Sequence, residues 1–255
     1  MKTLQLSSAL VDSKWLEAHL QHPDLVVLDA SWHMPAAQRS GEQEWRQRRI
    51  PGARFFDFDS KIKDNDSSLP HMLPSEAQFS RQVSELGLSN DQLIVIYDSS
   101  GIFAAPRAWW MFRAMGHERV AVLDGGLPGW LRQGYSLESG EPAVVLPGHF
   151  VAQRQADWIA DAAQVQSALS QSGTRVLDAR SLERFSGQAA DPRPGVRPGH
   201  MPGAYCLPFG ELLEQGCFLP REQLAQKLTP LLAPEQRLIC SCGSGVTAAI
   251  LALAA

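Results

Sequence analysis

The chain has 255 residues, 44% of them hydrophobic and 20% charged, which fits a soluble globular protein with a sizeable core and enough length for two domains. Its formal net charge of −4 gives no basic footprint for nucleic acid or an anionic membrane, and no apolar run reaches the length of a membrane span. Four cysteines, Cys206, Cys217, Cys240 and Cys242, are too sparse for a disulfide scaffold, and the N-terminus lacks a continuous apolar stretch, so a reducing, cytoplasmic setting is expected.

In chain order, the first apolar run is LVVLDASW at 25–32, where residues 25–28 read as a strand buried on both faces and ending at an Asp. A Pro-Gly turn and a second short strand follow in RIPGARFFDF at 49–58. PSEAQFSRQVSELG then reads as a helix, with Ser75 as its N-cap and Gly87 as its stop. Residues 93–97 form another buried strand, followed by the helix APRAWWMFRAMG, the strand RVAVLD and the segment GGLPGWLRQG. Residues 134–158, rich in Gly and Pro, read as a linker.

The pattern then repeats. TRVLDARS at 174–181 matches the first strand, HMPGAYCLPF at 200–209 the Pro-Gly turn, and RLICSCGSG at 237–245 the strand LIVIYDSSG. The offsets, 149, 151 and 144 residues, are nearly constant, as expected of tandem copies of one fold. Strands alternating with helices make each copy an α/β unit with a parallel sheet flanked by helices. The expected boundaries are residues 1–140 for the first domain, 141–157 for the linker and 158–255 for the second. The first copy continues well past Asp98, but only 13 residues follow Cys242. The expectation is therefore a truncated second domain that lacks its last strand and closing helix.

Cys242 falls where a strand gives way to a helix beginning near Thr247, the position at which doubly wound folds bind ligands. Gly243 and Gly245 let the backbone curl with its amides inward, and such amides stabilise a thiolate. Free cysteines are more often small buried hydrophobes, and that reading is kept for Cys206, Cys217 and Cys240. A C-x-C metal site has no further ligand adjacent. A cysteine phosphatase needs an Arg at the sixth position after the nucleophile, which here is Ala248.

Beyond these arguments, CGSGVTA, LDASWHMP, RRIPGARFFDFD, HMLPSEAQF and ERFSGQAADPRPGVRPGHMPGA together resemble the two-domain sulfurtransferases of the rhodanese superfamily, on their 3-mercaptopyruvate side. The resemblance spans nearly the whole chain. It implies two rhodanese-like domains with only the second catalytic, Asp98 holding the cysteine position in the first. It implies Cys242 as the nucleophile that carries a persulfide. Gly243, Gly245, Val246 and Thr247 would form its loop, and Arg184 and Arg193 would bind the substrate carboxylate, with Arg180 and Arg197 as lesser candidates. Without the resemblance these arginines would read as solvated surface charges, His71 as a loop histidine and Ser244 as a turn residue. The resemblance makes Ser244, His71 and Asp59 a proton relay, contributed by both domains and placed at their interface.

No organic cofactor and no metal is expected. The partners implied are a small sulfur donor and a thiol acceptor such as thioredoxin, with no nucleic acid or membrane. Residues 243–247 are uncharged, which suits a monocarboxylate donor better than the compact dianion thiosulfate. Thiosulfate remains an alternative donor, and a persulfide carrier that turns over no small donor is the alternative of another class.

Overall fold

The computed structural model describes residues 4–193, 195–233 and 235–255. The chain forms two compact units, one running to Gln155 and including Gln215–Cys217, the other comprising Ala156–Glu214 and Phe218–Ala255.

In the first unit the order is β1 (Leu10–Val11), α1 (Ser13–His19), β2 (Leu25–Asp29), α2 (Gly41–Gln47), β3 (Arg54–Phe55), α3 (Glu76–Glu85), β4 (Leu93–Tyr97), α4 (Ala105–Ala114), β5 (Val120–Leu123) and α5 (Gly126–Arg132). All strands are parallel, in the order β1-β5-β4-β2-β3. Strand β4 is central, and all five of its residues, LIVIY, are buried, as an apolar run covered on both faces requires. Alternate residues Leu93, Val95 and Tyr97 pack in one core cluster with Leu16, Leu127 and Trp130. Ile94 and Ile96, equally buried, face the other way, where α4 covers β4 and β5. Each such aliphatic side chain contributes about 1.5–3 kcal/mol by leaving water.

Helix α3 starts where the sequence predicts: the Ser75 hydroxyl accepts from the Gln78 backbone N–H at 3.3 Å. Past its end, Gly87 takes a φ of +78°, a conformation glycine adopts without strain.

Residues 141–155, expected to act as a linker, run against the first unit instead. The Gly148 amide donates to the Ser84 carbonyl, and the amides of His149, Phe150 and Ala152 donate to the hydroxyls of Ser89, Ser84 and Ser80. The Phe150 ring is buried against Phe79 and Phe112.

The second unit contains α6 (Ala162–Ala168), β6 (Thr174–Asp178), α7 (Leu182–Ser186), β7 (Tyr205–Cys206), the paired strands β8 (Leu213–Glu214) and β9 (Cys217–Phe218), α8 (Arg221–Leu228), β10 (Arg237–Ser241) and α9 (Ala248–Ala254); Cys217 itself groups with the first unit. Its main sheet is parallel in the order β10-β6-β7. Position by position this is β4-β2-β3 again, at the same offsets of 144, 149 and 151 residues. Among the described residues β10 pairs on one side only, so its residues are half-buried or exposed where those of β4 are buried. Helix α9 packs on β10, burying Ala249, Ile250 and Leu251.

Candidate active site

The two copies of the strand-to-loop turn after β4 and β10 carry different chemistry. After β4, the Asp98 carboxylate is buried and fills the loop's amide cradle. Its Oδ1 accepts from the Ser100 N–H at 2.8 Å, and its Oδ2 from the N–H groups of Phe103, Ala104 and Ala105 at 3.0, 2.7 and 2.8 Å. Burial raises its pKa against these bonds.

After β10, the matching position is Cys242. The Gly245 N–H donates to its sulfur at 3.1 Å, and Gly245 holds a φ of +82° to make that turn. Cys242, Gly243, Ser244 and Thr247 are half-buried, and Val246 is buried.

Two arginines approach this loop. A Cβ built on Gly243 would lie 3.3 Å from Arg184 Nη2 and 3.9 Å from Arg193 Nη2. Arg184 is placed by α7, whose N-cap Ser181 accepts from the Arg184 backbone N–H at 3.4 Å. Arg193 lies in the loop beyond. Both are tied to Asp191, a residue that carries no sequence signal beyond an ordinary Asp-Pro turn: Arg184 Nη2 donates to its Oδ2 at 2.6 Å and Arg193 Nε to its Oδ1 at 3.1 Å. Burial opposes charge on Asp191, but the bonds from Arg193 and Arg184 outweigh it and hold its carboxyl well below the usual range. Arg180 is engaged differently, with Nε and Nη2 on Asp178 and Nη2 also on the Gly199 carbonyl at 2.8 Å. Its pKa is raised, first by the bond to Asp178 and, more weakly, by the nearby charge of Cys242. Arg197 is exposed.

The other three cysteines, expected to be buried hydrophobes, all keep partial exposure. Their surroundings still disfavour the thiolate. Burial pushes Cys240 up to about 12, Cys206 up to about 11, and Cys217 upward.

In the first unit, His71 Nε2 donates to Asp59 Oδ1 at 2.8 Å. This bond is the main cause of the lowered Asp59 pKa. The imidazole is buried, with Trp32 and Phe58 edge-on at 5.0 and 5.3 Å between ring centroids. Its Nδ1 is buried without a hydrogen-bond partner among the described residues. The His71 backbone is left-handed, with φ +58°, and its carbonyl accepts from Arg107 Nη2. A cavity of about 240 Å³ opens beside Asp59, lined also by Trp32, His33, Arg39 and Phe58. Among the described residues no group of three or more His, Cys, Asp or Glu is arranged to hold a metal.

Parallel sheets with helices against them, repeated twice and turning into a cysteine loop in the second copy, define a tandem rhodanese-like architecture. The profile of the rhodanese-like domain matches residues 12–133. A thiosulfate/3-mercaptopyruvate sulfurtransferase of Arabidopsis thaliana is 40% identical across 98% of this chain and 72% of its own length. The human 3-mercaptopyruvate sulfurtransferase is 40% identical across the whole chain and 88% of its own, and that of Escherichia coli K12 is 39% identical over 96% and 87%. The crystal structure of SseA from Escherichia coli, a 3-mercaptopyruvate sulfotransferase, superposes with a TM-score of 0.88 and 35% identity, over 97% of this chain and 93% of SseA. The chain belongs to the 3-mercaptopyruvate sulfurtransferase family of rhodanese-fold proteins.

Proposed function

We propose that the protein takes sulfur from 3-mercaptopyruvate onto Cys242 and passes it to a thiol acceptor, releasing pyruvate. The observation that carries this reading is the approach of two guanidinium groups to Gly243, the residue after the nucleophile, over an otherwise uncharged loop. A guanidinium matches a carboxylate in two-pronged geometry.

The Cys242 thiolate attacks the substrate sulfur. The sulfur–sulfur bond forms as the carbon–sulfur bond breaks, and the electron pair leaves with the three-carbon fragment as the pyruvate enolate. One proton converts the enolate to pyruvate, and the persulfide remains on Cys242. Gly243, Gly245, Val246 and Thr247 shape the cradle for that persulfide, with the Gly245 amide directed at the Cys242 sulfur itself. Ser244, His71 and Asp59 manage the protons. Asp59 occupies Nε2 of His71, which leaves Nδ1 as the nitrogen that exchanges a proton. An acceptor thiol then attacks the outer sulfur and regenerates Cys242, which gives ping-pong kinetics.

Reduced thioredoxin is the acceptor this chemistry favours, in the cytoplasm, and no described helix is long and apolar enough to cross a membrane. Thiosulfate is a secondary donor. The test is pyruvate release from 3-mercaptopyruvate with a dithiol acceptor, run beside thiosulfate with cyanide. The wild-type protein releases pyruvate faster than it consumes thiosulfate, and Cys242→Ser does neither. Dominant thiosulfate turnover, or activity surviving in the variant, contradicts the proposal.

A further inference from the structure

Around the Cys242 loop the second unit gathers more charge than two substrate arginines require. Three guanidinium groups, Arg180, Arg184 and Arg193, share two carboxylates, Asp178 and Asp191. The Asp191 side chain is 1% exposed. Its two oxygens are divided between the arginines, Oδ2 to Arg184 at 2.6 Å and Oδ1 to Arg193 Nε at 3.1 Å, with Arg180 Nη1 at 3.9 Å. The Arg193 backbone N–H also donates to Oδ1, at 3.1 Å. A buried carboxylate is tolerated in this way only when paired.

The pairing uses a defined part of each guanidinium. Asp191 takes Nη2 of Arg184 and Nε of Arg193 and so sets the angle at which each fork faces the loop. Arg184 Nε is buried and has no hydrogen-bond partner among the described residues. In formal charge the ion-paired group carries one net positive charge, which balances a monoanion. Without Asp191 it carries two.

We propose that Asp191 is a positioning residue that orients Arg184 and Arg193 over the Cys242 loop and, by cancelling one of their charges, sets the donor preference toward a monoanion over a dianion. The inference rests on the donor assignment made above and adds a residue to it.

The test is steady-state kinetics of the full chain, wild type and two variants, with 3-mercaptopyruvate plus a dithiol and with thiosulfate plus cyanide. In Asp191→Asn, KM for 3-mercaptopyruvate rises about tenfold with a smaller change in kcat, while kcat/KM for thiosulfate holds or rises, so the donor ratio moves by about tenfold toward the dianion. Asp191→Glu keeps the charge and moves the carboxylate by one methylene. It raises KM for 3-mercaptopyruvate but keeps the donor ratio within about threefold of wild type. Equal losses with both donors in Asp191→Asn would reduce Asp191 to a scaffold residue and overturn the inference, as would an unchanged ratio. If Asp191→Asn does not fold, Asp191→Glu decides alone: a shift of its ratio toward thiosulfate overturns the charge argument. A wild-type protein that releases no pyruvate sinks the donor assignment itself, whereas an active wild type with an unmoved Asp191→Asn ratio sinks this inference only.

Discussion

Asp98 and Cys242 occupy matched positions, each followed three residues later by a glycine at positive φ, Gly101 at +109° and Gly245 at +82°. In the first unit four amides converge on one buried carboxylate, which closes the loop on itself. In the second, the Gly245 amide is directed at the Cys242 sulfur, which on the proposed function must accept and release another sulfur and so leaves no place for a fixed anion. Truncating the carboxylate strands buried donors, which is costly. Asp98→Ala is therefore expected to destabilise the first unit by about 3 kcal/mol, read by urea unfolding. A loss under about 0.5 kcal/mol would show that the four amides find other partners. The curl of the loop after β10 was legible at this scale because glycines on either side of a serine mark such a turn at a strand end. Asp191 was not: an acidic residue before a proline reads as a turn, and only the folded chain reveals that both of its oxygens are taken by arginines seven residues before and two after it.

At the scale of elements, the repeat was the strongest signal. Strands β2, β4, β6 and β10 were legible because short apolar runs that end at a polar residue, separated by helical patterns, fit strands of a parallel sheet, although only β2 and β4 are largely buried. The two-residue strands β1, β8 and β9 carry no such run, and their pairing depends on neighbours that no local pattern specifies. The course of residues 141–155 was hidden for a related reason. That segment is held by the hydroxyls of Ser80, Ser84 and Ser89 and the backbone carbonyls of Ser84, Ala114 and Met115 rather than by a periodic apolar face, so its composition resembles a linker while its hydrogen bonds belong to the first unit. The half-buried state of β10 follows from its place in the sheet, with one neighbouring strand among the described residues where β4 has two.

For the molecule as a whole, two buried groups of the first unit oppose each other in pH. Burial lowers His117 from 6.5 to about 4, with Phe112 and Phe150 against its ring. Burial raises Asp29 from 3.8 to about 7. Between pH 4 and 6.5 the unfolded His117 holds a proton the folded one lacks, so its contribution to stability grows with pH. Over the same window the folded Asp29 holds a proton the unfolded one lacks, so its contribution falls with pH. Each is worth up to about 3 kcal/mol across the window, and together they nearly cancel. Relative to wild type, His117→Gln is expected to lose stability as pH rises from 4 to 6.5, and Asp29→Asn to gain it. Six of the seven tryptophans precede residue 155, so their fluorescence in denaturant reports this unit. Parallel profiles for both variants and wild type would contradict the assignment.

The claim on which the rest depends is that Cys242 carries the transferred sulfur. The direct measurement is the mass of the protein after exposure to 3-mercaptopyruvate without acceptor, followed by peptide mapping. The account predicts one added sulfur on the peptide holding Cys242, an equal amount of pyruvate, and loss of that sulfur when a dithiol is added. No added sulfur, or sulfur on Cys206, Cys217 or Cys240 instead, would contradict it.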